Sequence, residues 1–252
     1  MIPNYCYWSV ATGAYGTLME RCVRTAREAG VFRGFHVLTD RPLAGCECYD
    51  ACQCDKAGGM FKLHYLKVGM SRLSVEYFVW VDADTVFVRN PLDVLAPLGR
   101  SPIHVPLEVN LATLAADCTW RGVPLFRLRD LFQDAGVANQ PYLSQSAFWI
   151  VHREAIDVVY DLAFQLWNRA RDEGVAPRVD FALGFAMQML CASPEAHLLT
   201  AHPHVWASDD VGALRSSGPG PGEWGWRHPL CSAGTPVRPA IIHLPWSESQ
   251  HA

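Results

Sequence analysis

Charge is scarce in this chain, and what there is does not collect. Only 18% of the 252 residues are charged, and the formal net charge is −4. No basic run or stripe forms the footprint that nucleic acid or an anionic membrane surface needs. Long apolar runs are missing too, so nothing approaches the length of a membrane span. The opening Met1-Ile2-Pro3-Asn4 has no basic n-region, and the short apolar patches behind it do not make a signal peptide. Internal repeats and a linker that would split the chain are also lacking. Half of the residues are hydrophobic, which excludes a disordered composition and allows a sizeable core. The expectation is a soluble cytoplasmic protein with no transmembrane segment and no nucleic-acid partner.

Cysteine is plentiful by contrast, with nine in the chain. An odd count and the missing secretion signal favour free thiols over a disulfide framework. Four of them cluster as Cys46-x-Cys48-x3-Cys52-x-Cys54. Such thiolates suit zinc, but the C-x2-C knuckle spacing is absent. A metal site and a thiol-rich surface loop both remain open.

Periodicity along the chain reads as α/β. Tyr5–Ala11 is a strand, closed by Thr12-Gly13-Ala14. A helix over 16–29 follows, with Leu18, Cys22 and Ala26, flanked by Met19 and Val23, as its apolar stripe. Phe35–Thr39 is a second strand ending in Asp40, and this β-α-β opening predicts a parallel pair. Residues 41–59 read as a Cys/Gly-rich loop and 60–73 as a helix. Strands are further expected at 103–107, 147–151 and 240–243, and helices at 125–135, 154–171 and 180–190. The helix over 154–171 has Ala155, Val159, Leu162, Leu166 and Ala170 on one face. The Gly218-Pro219-Gly220-Pro221-Gly222 stretch reads as a mobile loop, either a lid that a bound nucleotide would order or plain surface filler. One α/β domain with a mixed sheet accounts for this order.

The stretch Tyr77-Phe78-Val79-Trp80-Val81-Asp82-Ala83-Asp84-Thr85-Val86-Phe87-Val88 carries the chemistry. Five apolar residues in a row predict a strand buried on both faces, as in a parallel sheet. Ligands of open α/β sheets bind beyond the carboxyl ends of such strands, so Asp82 and Asp84 are expected at the mouth of a site. Two hard oxygen ligands there suit Mg²⁺ or Mn²⁺, which share their coordination with substrate phosphates. After Asp84 the chain stays extended through Val88 and breaks at Asn90-Pro91.

This window resembles the GT-A class of sugar-nucleotide glycosyltransferases, particularly the retaining family that includes glycogenin and bacterial galactosyltransferases. The similarity continues in Ser9-Val10-Ala11-Thr12 with Tyr15 (the nucleotide-binding first loop) and in Ser144-Gln145-Ser146-Ala147 (a turn before a strand). It ends in Ile241-Ile242-His243 with Pro245-Trp246. The chain departs from the pattern in three places. The glycine and lysine between that histidine and Pro-Trp are missing, Gln145 and Ala147 stand where Asn and Gly are usual, and Phe181 rather than Gln follows Asp180.

The resemblance implies a single GT-A-like domain, a Rossmann-like mixed sheet flanked by helices. Its nucleotide-binding half would span about 1–107 and its acceptor-side half about 108–252. It implies a hexosyltransferase using a nucleotide-sugar donor, expected to be a UDP-sugar, and a carbohydrate or other hydroxyl acceptor. Asp82, Asp84 and His243 would hold Mn²⁺ or Mg²⁺. Ala11, Thr12, Tyr15, Lys62 and Ala83 would line the nucleotide-sugar together with the two aspartates. Asp180 would be catalytic, and Ser144 and Ser146 would meet sugar hydroxyls. The same window also resembles the first motif of the HAD phosphohydrolases, with Asp82 as nucleophile, Asp84 as general acid and Asp209-Asp210 as the late acidic motif. A third possibility is a non-catalytic sugar-nucleotide-binding protein.

Overall fold

The computed structural model describes residues 4–51, 60–91, 102–105, 107–111, 119–120, 123–137, 142–144, 146–191, 206–208 and 241–243. The opening forms as expected: β1 (Tyr5–Ala11), α1 (Tyr15–Glu28) and β2 (Phe35–Thr39), with β1 and β2 parallel. Gly13 turns the chain between β1 and α1 at φ +58°, a conformation only glycine adopts without strain. Its N–H donates to Asp40 Oδ2 at 2.9 Å, so the end of β2 holds the turn after β1. Leu18, Met19, Cys22, Val23 and Ala26 are all buried, as the stripe predicts.

The Cys-rich segment is not all loop. Glu47–Asp50 forms β3, parallel to β2 on the edge of the sheet. Three of its four residues are exposed, so it has no apolar alternation to announce it. Then come α2 (Phe61–Arg72), β4 (Tyr77–Val81) and β5 (Thr85–Phe87). Short strands β6 (Ile103–His104), β7 (Leu107–Asn110), β8 (Thr119–Trp120) and β9 (Val123–Pro124) lead to α3 (Leu125–Asp134). The strand expected over 103–107 is thus two pieces in two different sheets. After β10 (Tyr142–Ser144) and β11 (Phe148–His152), a 3₁₀ turn at Arg153–Ala155 precedes α4 (Ile156–Asp172). On α4, Ala163 takes the fully buried place expected of Leu162, which is half-buried. The described chain closes with α5 (Val179–Leu190), β12 (Trp206–Ser208) and β13 (Ile241–His243). Cys52, Cys54, Gln145, Asp209, Asp210, the 216–225 stretch, Ala240, Pro245 and Trp246 lie outside the described residues.

The main sheet has six strands in the order β3-β2-β1-β4-β11-β6. From β3 to β4 the neighbours are parallel, and β11 then enters antiparallel to both β4 and β6. This is a single α/β domain with a mixed, Rossmann-like sheet flanked by helices. Side-chain alternation decides which helix covers which face. Cys6, Trp8, Phe78, Trp80, Trp149 and Val151 pack with residues of α2, α4 and α5. Tyr7, Val79, Val81 and Ile150 pack with α1 on the opposite face. All five residues of β4 are therefore buried, and the chain can emerge only at Asp82. A second sheet, β12-β13-β5, grows from that exit. Among the described residues no helix is long and apolar enough to cross a membrane.

Candidate metal centre

Two ladders converge on the end of β4. On one side the register of β4 with β11 continues one step past the strand, where Asp82 N–H donates to Ala147 O at 2.8 Å. Ser9 Oγ donates to Val81 O at 2.6 Å, tying β1 to the same spot. On the other side β5 pairs antiparallel with β13, and His243 falls directly opposite Thr85. That register is what carries a residue from far down the chain to Asp84. Thr85 Oγ1 donates back to Asp82 O at 2.8 Å and closes the Asp82–Thr85 turn.

The result is a cluster of Asp82, Asp84 and His243 whose ligand atoms all lie within 4.8 Å of one another. His243 Nε2 stands 3.2 Å from Asp84 Oδ1. Two carboxylates and an imidazole suit a borderline-hard divalent ion, and octahedral bonds of about 2.1 Å put ligand atoms roughly 3–4 Å apart. The donor set and its spacing fit a cation of the Mg²⁺/Mn²⁺ kind. Asp84 is mostly shielded, with 13% of its side chain exposed. Burial opposes its ionisation, but the hydrogen bond and charge of His243, its own backbone N–H and the Lys62 charge outweigh burial. Its carboxyl is held below its ordinary value.

Asp82 is held differently. Lys62 Nζ reaches Oδ1 at 2.7 Å and Oδ2 at 2.8 Å, and Trp80 Nε1 donates to Oδ1 at 2.6 Å. The same ammonium donates to Ser146 O at 3.0 Å and meets Ser146 Oγ at 3.1 Å. Only 9% of the Lys62 side chain is exposed. A carboxylate offers about four lone-pair positions, and three are used, so Asp82 retains one, on Oδ2. It is a one-oxygen ligand, and Asp84 is the more shielded of the pair.

A cavity of about 430 Å³ opens beside the two aspartates. Thr12, Tyr15, Lys62 and Ala83 from the expected set line it, as do Asp82 and Asp84. Burial raises the Tyr15 phenol above its ordinary value, and the charges of Asp84 and Asp82 add to that shift. Ala11 does not reach the cavity with its side chain. It is fully buried in the core on the α1 face. Val10 of the expected first loop lines it as well, and three aromatic lining residues were not foreseen: Phe61 and Tyr65 of α2 and Trp80 of β4. Phe61, Lys62 and Tyr65 occupy adjacent positions one turn apart on the helix before the metal strand. That spacing was the available signal.

Asp180 and the two serines are placed away from the cavity lining. Asp180 is buried in the first turn of α5, where its carboxylate faces the helix N-terminus and accepts Ser146 N–H at 2.9 Å. Ser144 Oγ donates to Asp180 O, and Ser146 is committed to Lys62. These groups form a connected chain from α5 through Ser146 and Lys62 to Asp82.

No protein-family model matches the chain, and no curated protein is significantly similar to it. What the site does is therefore read from its own parts. The chain combines a mixed α/β domain with an Asp/Asp/His cluster able to coordinate a metal ion beside a ligand-sized cavity. That is the equipment of a metal-dependent enzyme.

Proposed function

We propose that the chain is a metal-dependent glycosyltransferase of the GT-A kind, moving a hexosyl group from a nucleoside-diphosphate sugar, in the first instance a UDP-sugar, to an acceptor hydroxyl. One observation carries this reading. His243 and Asp84 meet across the β5–β13 ladder, at the carboxyl end of a buried parallel strand, beside a cavity with an aromatic wall. In the transfer, the bond from the anomeric carbon to the donor phosphate breaks and a bond to the acceptor oxygen forms. The acceptor's proton leaves with the diphosphate or to solvent. A Mn²⁺ or Mg²⁺ ion held by Asp82, Asp84 and His243 supplies positive charge for the departing diphosphate.

The chain's own residues prepare that arrangement. Lys62 fixes the rotamer of Asp82 and neutralises it. Tyr15 and Thr12 line the nucleotide end, Ala83 packs beside them, and Ala11 contributes through backbone only. Phe61, Tyr65 and Trp80 provide apolar area for a base or sugar face. Asp180 is a positioning residue in this scheme, acting on the site through Ser146 and Lys62. Residues of about 1–107 would bind the nucleotide and those of about 108–252 the acceptor.

The phosphohydrolase alternative needs Asp82 to attack phosphorus. Both of its oxygens accept from Lys62 and one also from Trp80, which favours a holding role over attack. A thermal-shift screen of UDP-sugars with Mn²⁺ tests the reading. At a hundredfold excess over Kd, binding contributes about 2.7 kcal/mol, or a rise of roughly 5–10 °C for a chain of this size. The rise should vanish without metal and in Asp84→Ala, and slow hydrolysis of the donor should accompany it. No shift across the panel would remove the reading. A shift without donor hydrolysis would make the chain a binding protein.

A further inference from the structure

Arg21 belongs to the face of α1 that lies along β5. Leu18, Arg21, Cys22 and Thr25 are spaced i, i+3, i+4 and i+7, one stripe of a helix. The stripe is pinned at two points: Cys22 Sγ meets Thr85 Oγ1 at 3.3 Å, and Phe87 N–H donates to Thr25 Oγ1 at 3.1 Å. β5 begins immediately after Asp84 and has His243 across from its first residue. Arg21 is thus delivered beside the metal cluster, near enough to feel the Asp84 charge.

Two of its donor nitrogens are idle there. Arg21 Nε and Nη2 are shielded from water and have no hydrogen-bond partner. Other arginines of the described fold are satisfied. Arg27 donates to Val31 O and Arg33 O, Arg41 reaches Glu20, and Arg153 donates to Leu73 O and Met70 O. The two lysines of α2 are also committed, Lys62 to Asp82 and Ser146, and Lys67 to Asp157. A guanidinium stays charged, so dry donors without an acceptor are costly and call for a partner. Charge-assisted bonds to an anion satisfy such donors most strongly. An anion that shares this corner with a cation on Asp84 and His243 carries several oxygens, and a planar guanidinium matches phosphoryl oxygens in pairs.

We propose that Arg21 is an anion-binding residue that takes phosphoryl oxygens of a diphosphate held at the Asp82/Asp84/His243 cluster. The assignment rests on the glycosyl-transfer reading for the identity of the ligand as a diphosphate, and the test separates the two. Calorimetric titrations of the full chain with inorganic pyrophosphate, UDP and uridine, each in excess Mg²⁺, are compared with Mg²⁺ alone. Arg21→Met should weaken UDP and pyrophosphate binding about tenfold or more and leave uridine unchanged. Mg²⁺ alone should bind the variant equally or more tightly, because a positive charge has been removed from beside Asp84. Arg21→Lys keeps the charge but not the paired donors, and should show a smaller loss. It serves as the test if Arg21→Met does not fold.

UDP and pyrophosphate binding within twofold of the wild type in both variants would overturn the assignment and leave glycosyl transfer standing. Arg21-dependent binding of pyrophosphate with no binding of UDP or a UDP-sugar would keep the assignment and remove the glycosyl-transfer reading. Binding of Mg²⁺ with neither phosphate ligand would overturn both.

Discussion

Removing Lys62 should cost the fold more than any other single change at the site. In Lys62→Met the stem is kept and the ammonium is lost. Asp82 then retains Trp80 Nε1 as its side-chain donor, and Ser146 O loses its contact with Nζ. Breaking a fully buried ion pair costs about 3–5 kcal/mol. Asp82 is 24% exposed at its side chain and keeps one strong hydrogen bond, so the cost falls below that range, to about 2–3 kcal/mol. The orphaned Ser146 carbonyl adds about 1 kcal/mol. A total of about 3–4 kcal/mol lowers Tm by roughly 6–16 °C for a chain of this size. Calorimetric melts at pH 7, with EDTA and with Mn²⁺, measure it. Because a cation on Asp82 restores the missing charge, Mn²⁺ should raise Tm more in Lys62→Met than in the wild type. A variant that melts within about 2 °C of wild type in EDTA, or that gains no more from Mn²⁺, would refute the coupling of Lys62 to Asp82.

Three further outcomes follow from particular contacts. Asp84 ionises more readily in the folded chain than at its ordinary 3.8, so its contribution is complete above that value and is lost as pH falls through and below it. In EDTA, the stability of Asp84→Asn should therefore fall less steeply than that of wild type as pH drops below 3.8. Equal slopes in denaturant titrations would count against the Asp84–His243 pair. Burial pushes the thiols of Cys6, Cys22 and Cys46 up to about 12. Alkylation at pH 8 followed by peptide mapping should mark the exposed Cys48 well before those three, and early labelling of Cys22 would contradict the packing of α1 on β5. A Cβ at Gly69 would sit 3.1 Å from the Trp8 ring, so Gly69→Ala should destabilise by about 1 kcal/mol in urea. The crowding penalty of about 1–3 kcal/mol exceeds the gain in helix propensity.

How much of this was legible depends on whether a residue's role is local. The five apolar residues ending in Asp82-Ala83-Asp84 announced β4, its burial and the position of the carboxylates. The β-α-β opening and the stripe on α1 were equally plain, because periodicity reports a buried face directly. β3 was hidden because Glu47, Cys48 and Asp50 are exposed on an edge strand. Its place comes from backbone pairing with β2, which leaves no apolar pattern. His243 was reached only by resemblance, since its partner depends on the β5–β13 register. Lys62 was expected to line the nucleotide-sugar, but nothing local announced that its ammonium pairs with Asp82. Asp180 was expected to be catalytic, and Ser144 and Ser146 to meet sugar hydroxyls. In the fold both serines bond Asp180, and Ser146 also meets Lys62, contacts set by where α5 meets the turn before β11 and invisible to local pattern. Arg21 drew no notice at all: a charged residue within an apolar stripe looks like an interruption until the stripe has a neighbour.

We propose that Asp82, Asp84 and His243 together form one divalent-cation site. Its most direct test is a Mn²⁺ titration of the full chain followed by electron paramagnetic resonance of the free ion, on wild type, Asp84→Asn and His243→Ala. One saturable site is expected in the wild type, lost in Asp84→Asn and weakened about tenfold or more in His243→Ala. Equal Mn²⁺ uptake by all three proteins, or none by the wild type, would contradict it.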